Sequence, residues 1–111
     1  MSKLTDFTSY ADAQRHYSMD AVWALFDGNK ESFNIAHECV DRHAADAQRI
    51  AVRVAHADGR DEIIRFEELS RWSSRFAHWL VAQSVKPGDR VAFMLDPSLA
   101  FYTAMFGAMK T

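Results

Sequence analysis

Three side chains that can bind a metal ion lie close together in this sequence: His37, Cys39 and His43. Imidazole and thiolate groups are ligands of structural zinc sites, which need four of them. At about 100° per residue on a helix, His37 points roughly 200° away from Cys39, and only Cys39 and His43 share a face. Because two ligands do not form a zinc site, we predict structural packing for these residues and no metal site.

Two further pairs contain groups that act in acid–base or nucleophilic catalysis. They are Asp41 with His43, and Ser98 with His78. A catalytic pair of this kind needs a third group that orients it and an oxyanion hole, and the sequence supplies neither. We therefore predict no catalytic residue, and we expect surface or capping roles. Asp41 and Arg42 are expected to tie their helix to a neighbouring loop.

Aromatic and arginine side chains are the candidates for contacts with a nucleotide, an acyl chain or a phosphate group. The aromatic candidates are Trp72, Phe76, Trp79 and Tyr102, and the arginines are Arg71, Arg75 and Arg90. An aromatic stripe at helical spacing is typical of a helix core. Arg71 and Arg75 share a helix face with Glu67, which favours an exposed ion-pair face.

A glycine-rich phosphate loop is absent from the sequence. The four glycines are Gly28, Gly59, Gly88 and Gly107. No two of them lie close together, whereas a loop that wraps a phosphate in backbone N–H groups needs closely spaced glycines. We therefore predict no cofactor-binding residue in this chain.

The elements that position these residues begin with a helical arm, residues 1–31. One helix is predicted after Ser9 as N-cap, and a second is predicted to be capped by Asp20 and ended by Gly28. The apolar content is too sparse for an independent core, and we expect this arm to pack on something else.

Residues 32–48 predict a longer helix, capped by Ser32 or Asn34. Its apolar face repeats at Ile35, Cys39 and His43, with Ala36 and Val40 beside them. A β-hairpin follows, because Ile50, Val52 and Val54 alternate with other residues and an Asp58–Gly59 turn precedes a second strand at 62–66.

The clearest helix pattern begins at Phe66 and continues to residue 84. The residues predicted to form its buried face, within an arc of about 100°, are Leu69, Trp72, Phe76, Trp79 and Leu80. Glu67, Arg71 and Arg75 are predicted to form a solvated face on the opposite side.

The last 26 residues or so contain two apolar runs. Val91–Leu95 has no polar alternation, which predicts a strand covered on both faces in a parallel sheet. Pro97 and Ser98 begin a helix, Leu99–Met109, which is apolar over about half its circumference. Such a strand needs neighbours, so we expect a truncated chain whose missing remainder packs on Val91–Leu95 and Leu99–Met109. Obligate assembly is the alternative.

Length and composition limit the class of protein. A chain of 111 residues with 49% hydrophobic and 25% charged residues is one globular domain at most. A net charge of −2 argues against nucleic-acid partners. The longest apolar stretch is roughly half of the ~20 residues that span a membrane. A single cysteine and a first segment without an apolar signal region favour a cytoplasmic protein.

Four pieces in order resemble the N-terminal part of the adenylate-forming superfamily. They are Phe33-Asn34 leading to "VDRH" at 40–43, "FEEL" at 66–69, "KPGDRVA" at 86–92, and the helix that ends in "AMKT". The resemblance covers about residues 33–111. It is greatest to acetyl-CoA and medium-chain acyl-CoA synthetases.

The resemblance implies an α/β fold. Residues 32–111 would begin the AMP-binding N-terminal domain with helices, a β-hairpin and the first βα unit of a parallel sheet. It also implies a parent enzyme that joins a short- or medium-chain carboxylic acid to AMP and then to coenzyme A, with ATP and Mg²⁺. The reaction centre lies outside these residues, so the fragment itself is expected to be inactive and to bind no cofactor. The alternatives are a peptide-synthetase adenylation domain that feeds a carrier-protein thiol, and a small interaction module that docks through its apolar C-terminal helix.

Overall fold

The structure is a computed structural model that describes residues 2–111. Its elements are a 3-10 helix Leu4–Asp6, α1 Tyr10–Arg15, α2 Met19–Trp23, α3 Ile35–Cys39, a 3-10 helix Asp41–His43, β1 Ile50–Ala55, β2 Asp61–Arg65, α4 Phe66–Ala82 and α5 Leu99–Lys110. They form two compact units, the first ending at Phe33 and the second being Asn34–Thr111. Within residues 2–111, no helix has both the length and the apolar character to cross a membrane.

The first unit contains the short helices α1 and α2. α1 begins after Ser9, as predicted, although the Ser9 side chain makes no capping bond. The predicted cap of α2 is wrong, because Oγ of Ser18 accepts the N–H of Ala21 at 3.0 Å and Asp20 lies inside the first turn. No described residue of this unit is buried, which agrees with an arm too poor in apolar residues to form its own core.

Three rings of the first unit pack edge to face. The ring centroids of Trp23 and Phe33 are 5.7 Å apart, and those of Phe26 and Phe33 are 5.2 Å apart. The prediction that Gly28 ends a helix is wrong, since α2 already ends at Trp23. It instead allows a close backbone approach, because a Cβ atom at this position would lie 2.7 Å from the Ser32 carbonyl oxygen.

The helix predicted over 32–48 is much shorter in the structure. α3 ends at Cys39, since Val40 has non-helical backbone angles, and a 3-10 turn follows. Asn34 caps α3 by accepting the N–H of His37 at 3.1 Å, which confirms one of the two predicted caps. The predicted apolar face is confirmed in part, because Ala36 and Val40 are buried. It is wrong for Ile35, which is 50% exposed, and for Cys39, which is also exposed.

The predicted hairpin is confirmed, with β1 and β2 antiparallel and Val52 opposite Ile64. Phe66 begins α4 instead of ending β2, but its N–H still donates to the Arg49 carbonyl oxygen at 3.1 Å. The turn is closed by the His56 N–H, which donates to the Arg60 carbonyl oxygen at 2.9 Å. Gly59 supplies the left-handed backbone there, at φ +88°.

The core of the second unit lies between the hairpin and the helices. Its buried members are Val40, Val54, Ile64 and Leu69, and its half-buried members include Leu99, Tyr102 and Phe106 of α5. α4 and α5 approach closely at Gly107, where a Cβ atom would lie 2.8 Å from the Ser73 carbonyl oxygen. The lack of a side chain at Gly107 therefore lets α5 lie directly against Ser73 and the ring of Phe76 on α4.

The buried stripe of α4 differs from the predicted one. It consists of Leu69, Ser73, Ala77 and Leu80. Trp72 is 38% exposed and Trp79 is 55% exposed, so their prediction as core residues is wrong. The physical reason is the close contact at Ser73, where a small side chain lets α5 approach and leaves the two large indole rings beside the contact.

The predicted buried strand Val91–Leu95 does not form within residues 2–111. The segment has no regular secondary structure, and Met94 is 99% exposed. A strand needs a hydrogen-bonded neighbour, and the described residues contain one sheet, which consists of β1 and β2 alone. The following helix, α5, does form, and Oγ of Ser98 caps it by accepting the N–H of Phe101 at 3.2 Å.

Candidate functional site

A half-buried polar cluster joins three elements of the second unit. We use this name for Asp41, Ser70, Ser74 and Lys110. Nζ of Lys110 donates to Oδ1 of Asp41 at 2.7 Å, to the Ser70 carbonyl oxygen at 3.2 Å and to Oγ of Ser74 at 2.9 Å. Oγ of Ser70 donates to the same Asp41 oxygen at 2.8 Å.

Each member of the polar cluster is held by a different feature of the local sequence. Ser70 and Ser74 are four residues apart on α4 and therefore share a face. Asp41 begins the 3-10 turn after α3, and Lys110 is the last residue of α5, where a positive charge suits the helix dipole. The three elements can thus meet only when α4 and α5 are packed together.

The chemistry of the polar cluster is structural. An ammonium group has three N–H donors, and all three of those on Lys110 point to acceptors of this chain. The side chain is 11% exposed, and its partner Asp41 is 31% exposed. Lys110 is therefore engaged as a link between helices, with no donor left for a ligand.

The expected role of Asp41 is confirmed only in part. Asp41 does tie the segment after α3 to neighbouring structure, but its partners are the helices α4 and α5 and not a loop. Arg42 donates to Oε2 of Glu38 at 2.6 Å, within the same segment. Lys110, Ser70 and Ser74 are absent from the sequence-based candidates. The available signal was the four-residue spacing of the two serines on a helix with an apolar face.

The side-chain hydrogen bonds of Ser98, a member of the second predicted catalytic pair, go to Asp96 and Phe101 and not to His78. Ser98 caps α5, while His78 is exposed on α4. In the first pair, Asp41 belongs to the polar cluster, whereas Nε2 of His43 is 3.1 Å from the Glu38 carbonyl oxygen and Nδ1 is 3.2 Å from the Arg49 guanidinium. His43 therefore links the 3-10 turn to residues before β1.

Two of the candidate metal ligands have different surroundings. Cys39 is exposed at the end of α3, and His43 faces Arg49. Across residues 2–111, no group of three or more His, Cys, Asp or Glu side chains is arranged to hold a metal ion.

The aromatic and arginine candidates lie mainly on the outer side of α4. The Arg75 guanidinium lies 5.0 Å from the centre of the Trp72 ring, and Phe76 stacks on Trp79 at 5.7 Å. Arg71 pairs with Glu67 at 3.4 Å, which confirms the predicted solvated ion-pair face. Arg90 is exposed in the segment before α5, and Tyr102 packs against the core.

The first unit has a cavity of its own, with a volume of about 540 Å³. Phe7 and His16 line it and stack on each other with ring centroids 4.6 Å apart. Lys3 also lines this cavity, and its backbone N–H donates a hydrogen bond to Oδ2 of Asp6. The described residues that line this cavity bring together no catalytic set.

Comparison with known protein families shows which family the chain belongs to. The model of the family described as "AMP-binding enzyme" matches residues 39–111. The chain belongs to the AMP-binding enzyme family. Acetyl-coenzyme A synthetase of Bacillus subtilis is 32% identical to it over 105 residues, which is 92% of this chain. A nonribosomal peptide synthetase of Gibberella zeae is 38% identical over 104 residues, or 86% of this chain.

A solved structure supports the same relationship. The crystal structure of Brucella canis acyl-CoA synthetase matches with a TM-score of 0.81 and 28% identity, covering 93% of this chain. The resemblance to adenylate-forming enzymes is therefore confirmed, as is the fold class of a fragment from an α/β domain. The absent strand at Val91–Leu95 is the local difference from that expectation.

The chain spans a small share of the proteins that it matches. It covers 18% of the Bacillus subtilis synthetase, 1% of the Gibberella zeae protein and 19% of the Brucella canis chain. Over this part, the chain shares the fold of the Brucella canis acyl-CoA synthetase.

Proposed function

We propose that this chain is the first part of a longer ATP-dependent acyl-CoA synthetase and that it acts there as a scaffold. The observation that carries this is the joint match of 92% of the chain to an acetyl-coenzyme A synthetase and of 93% to an acyl-CoA synthetase structure. Residues 1–31 would form an arm, and residues 32–111 would begin the AMP-binding domain. The remainder would pack on Val91–Leu95 and Leu99–Met109.

The reaction proposed for the longer protein has two steps. A carboxylate oxygen attacks the α-phosphorus of ATP, pyrophosphate leaves, and an acyl-adenylate forms. The sulfur of coenzyme A then attacks the acyl carbonyl carbon, AMP leaves, and the thiol proton passes to a base. Mg²⁺ would neutralise the charge on the phosphates of ATP. The substrate would be a short- or medium-chain carboxylic acid, and the protein would be cytoplasmic.

The residues of this chain do not fit ATP or Mg²⁺, so no reaction step is assigned to them. The glycines needed around a phosphate are scattered, and the donors of Lys110 are all engaged inside the polar cluster. The contribution of the chain is positional. It holds α4 and α5 together, and α5 is the element that would carry the chain into the rest of the sheet.

The test uses the complete reading frame that contains this chain, purified and assayed for pyrophosphate release. We expect release that depends on ATP and on one of a panel of short- and medium-chain acids, followed by a coenzyme A thioester seen by mass spectrometry. The 111-residue chain at the same concentration is the control and should release none. Failure of every acid in the panel with the complete protein would reject the synthetase.

A carrier-protein thiol as acceptor is a second candidate, and the names of two relatives favour it. One is the nonribosomal peptide synthetase described above, and another is a fatty acid–[acyl-carrier-protein] ligase of Streptomyces coeruleorubidus, 42% identical over 48 residues. The two acceptors are distinguished by offering the acyl-adenylate coenzyme A or a phosphopantetheinylated carrier protein. The acceptor that gives the faster loss of adenylate decides between them.

A further inference from the structure

Two Asp–Gly sequences occur in the chain, Asp27–Gly28 and Asp58–Gly59. At such a sequence, the backbone nitrogen of the glycine can attack Cγ of the aspartate, because glycine has no side chain to hinder the approach. An N–C bond forms, the proton of the nitrogen and the hydroxyl of the carboxyl group leave together as water, and a five-membered succinimide ring remains. Water then opens the ring at one of its two carbonyl carbons, which gives either aspartate or isoaspartate. The two steps release and consume one water molecule, so no further reactant is needed.

Hydrogen bonds of the hairpin turn engage both reacting groups of Asp58–Gly59. The Gly59 N–H donates to the His56 carbonyl oxygen at 3.0 Å. Oδ1 of Asp58 accepts the backbone N–H of Arg60 at 3.0 Å, and Oδ2 accepts the Nε–H of the same arginine at 2.6 Å. The folded turn therefore holds the attacking nitrogen by its proton and the carboxyl group by both of its oxygens.

The bonds to Arg60 oppose the reaction at the carboxyl group in two ways. The carboxyl group loses a hydroxyl readily only when it is protonated, whereas the backbone N–H and the guanidinium of Arg60 lower the pKa of Asp58 and favour the ionised form. Attack also makes Cγ tetrahedral, which moves its oxygens away from the positions in which they accept from Arg60. At least one of these bonds must therefore break before the ring closes.

The turn itself requires a glycine next to Asp58. Gly59 has a φ of +88°, a left-handed conformation that favours glycine, and nothing lies within 4 Å of the position of its Cβ atom. The residue that shapes the turn is thus also the residue that leaves its backbone nitrogen open to this reaction.

We propose that Asp58 is a site of isoaspartate formation, which its bonds to Arg60 hold in check while the hairpin is folded. In the isoaspartate product, Cβ of residue 58 becomes part of the backbone and lengthens the turn by one atom. The turn-closing bond from the His56 N–H to the Arg60 carbonyl oxygen, 2.9 Å long, spans this longer segment, so the modification should loosen the end of the hairpin. The inference goes beyond the proposed function, because it concerns a turn and holds whatever reaction the longer protein performs.

The other Asp–Gly sequence, Asp27–Gly28, provides an internal comparison. A Cβ atom at Gly28 would lie 2.7 Å from the Ser32 carbonyl oxygen and 3.2 Å from Cα of Phe33, so neighbouring backbone holds this glycine in place. These residues belong to the first unit, whereas Arg60 belongs to the second. Substitution of Arg60 should therefore leave the rate of rearrangement at Asp27 unchanged.

The test compares variants of the complete protein that contains this chain, aged at neutral pH and cut with a protease that cleaves after glutamate. The peptide 39–62 then has the same ends in every variant, and the peptide that ends at Glu31 carries the comparison site. Chromatography and electron-transfer fragmentation distinguish isoaspartate from aspartate. Arg60→Ala should raise the rate of isoaspartate formation at Asp58 about threefold or more, since a charge-assisted hydrogen bond is lost. Arg53→Ala, an equal loss of charge at an exposed position of the same hairpin, is the control and should have no effect.

Three further measurements separate the role of the turn from that of the side chains. In denaturing urea, the unchanged protein should rearrange at Asp58 about tenfold or more faster than when folded, because the bonds of the turn are absent. In Asp58→Glu, the attack needs a six-membered ring, which forms more slowly, so isoaspartate should disappear from peptide 39–62. Arg60→Lys keeps the charge without the guanidinium and should give a rate between those of the unchanged protein and Arg60→Ala.

Faster rearrangement in Arg60→Ala with an unchanged rate at Asp27 supports the proposal. An Arg60→Ala variant that is no faster than Arg53→Ala overturns it, as does a folded protein that rearranges as fast as it does in urea. Arg60→Lys keeps the test decisive if alanine loosens the hairpin. An intermediate rate in this variant supports the role of Arg60, and a rate no faster than that of the unchanged protein overturns it.

Discussion

Nζ of Lys110 lies 2.7 Å from Oδ1 of Asp41, although the two residues are 69 positions apart in the chain. The bond joins the last residue of α5 to the turn that follows α3. Because Asp41 also accepts the hydroxyl of Ser70, one carboxylate oxygen holds three elements together. Of the two side chains, that of Lys110 is the more buried, at 11% exposed.

Removal of the lysine charge is expected to destabilise the second unit. In Lys110→Met, the Asp41 carboxylate keeps only its bond to Ser70, and the free energy of unfolding should fall by about 1–3 kcal/mol. Urea unfolding followed by tryptophan fluorescence measures the change. A double-mutant cycle with Asp41→Asn should give a coupling of at least about 1 kcal/mol.

The control for this cycle is Lys30→Met, which removes an equal charge at an exposed position. It should change the free energy of unfolding by less than about 0.5 kcal/mol. A coupling near zero between Asp41 and Lys110 would mean that their bond contributes nothing measurable.

The close contact at Gly107 gives a second prediction. A Cβ atom there would lie 2.7 Å from Cδ1 of Phe76 and 2.8 Å from the backbone oxygen of Ser73, which cannot move without shifting α4. Gly107→Ala should therefore lower the free energy of unfolding by about 1–3 kcal/mol, although alanine favours a helix. Gly59→Ala is the control, since nothing lies within 4 Å of its Cβ and only its φ of +88° is strained.

The two glycine variants should differ in where their effects appear. Hydrogen exchange in Gly107→Ala should speed up in α4 and α5, whereas in Gly59→Ala it should speed up only near the hairpin turn. An alanine at 107 that stabilises the protein would show that the two helices move apart at no cost.

The hairpin, α4 and α5 were predictable because local patterns determine them. The alternation of β1, the Asp58–Gly59 turn and the long amphipathic pattern of α4 each carry their own signal. Which residues of α4 are buried was not predictable in the same way. Both indoles fit the apolar arc, but the close contact of α5 at Ser73 excludes them from it. That contact depends on Gly107, on another helix.

The polar cluster and the segment 91–95 also depend on contacts between distant parts of the chain, which local sequence patterns do not predict. Asp41 and Lys110 are joined by packing across the whole second unit, and no sequence spacing signals their contact. The apolar run at 91–95 has the composition of a strand, but no strand forms there among the described residues, because strand formation depends on a neighbour that they do not supply.

The double role of Asn34 gives a third prediction. Its Oδ1 accepts the His37 N–H at 3.1 Å and caps α3, while its Nδ2 donates to the Met109 carbonyl oxygen at 3.0 Å. Asn34→Asp keeps the cap but loses the donor, and Asn34→Ala loses both. We expect Asn34→Ala to cost about 1–2 kcal/mol of the free energy of unfolding, because a cap and a bond to α5 are removed.

Asn34→Asp separates the two bonds. Its carboxylate faces the carbonyl end of α5, so hydrogen exchange should rise at the end of α5 while α3 keeps its protection. Ser9→Ala is the control for cap removal, because Ser9 precedes α1 without a capping bond and should change stability little. Equal protection of α5 in Asn34→Asp and the unchanged protein would show that the bond to Met109 is unimportant.

The hairpin turn gives a prediction about pH. The backbone N–H of Arg60, which donates to Oδ1 of Asp58 at 3.0 Å, holds the pKa of that carboxyl below its ordinary value, and the Arg60 guanidinium lowers this pKa further from 2.6 Å. Because the folded pKa is lowered, the turn is stabilised above the ordinary aspartate pKa of about 3.9 and loses this contribution as pH falls through the folded value. Carboxyl ¹³C NMR titration should show the Asp58 midpoint below the ordinary aspartate pKa of about 3.9. In Arg60→Ala, the Asp58 midpoint should rise but stay below that ordinary value, since the backbone bond remains; an unchanged midpoint would mean that the guanidinium has no influence.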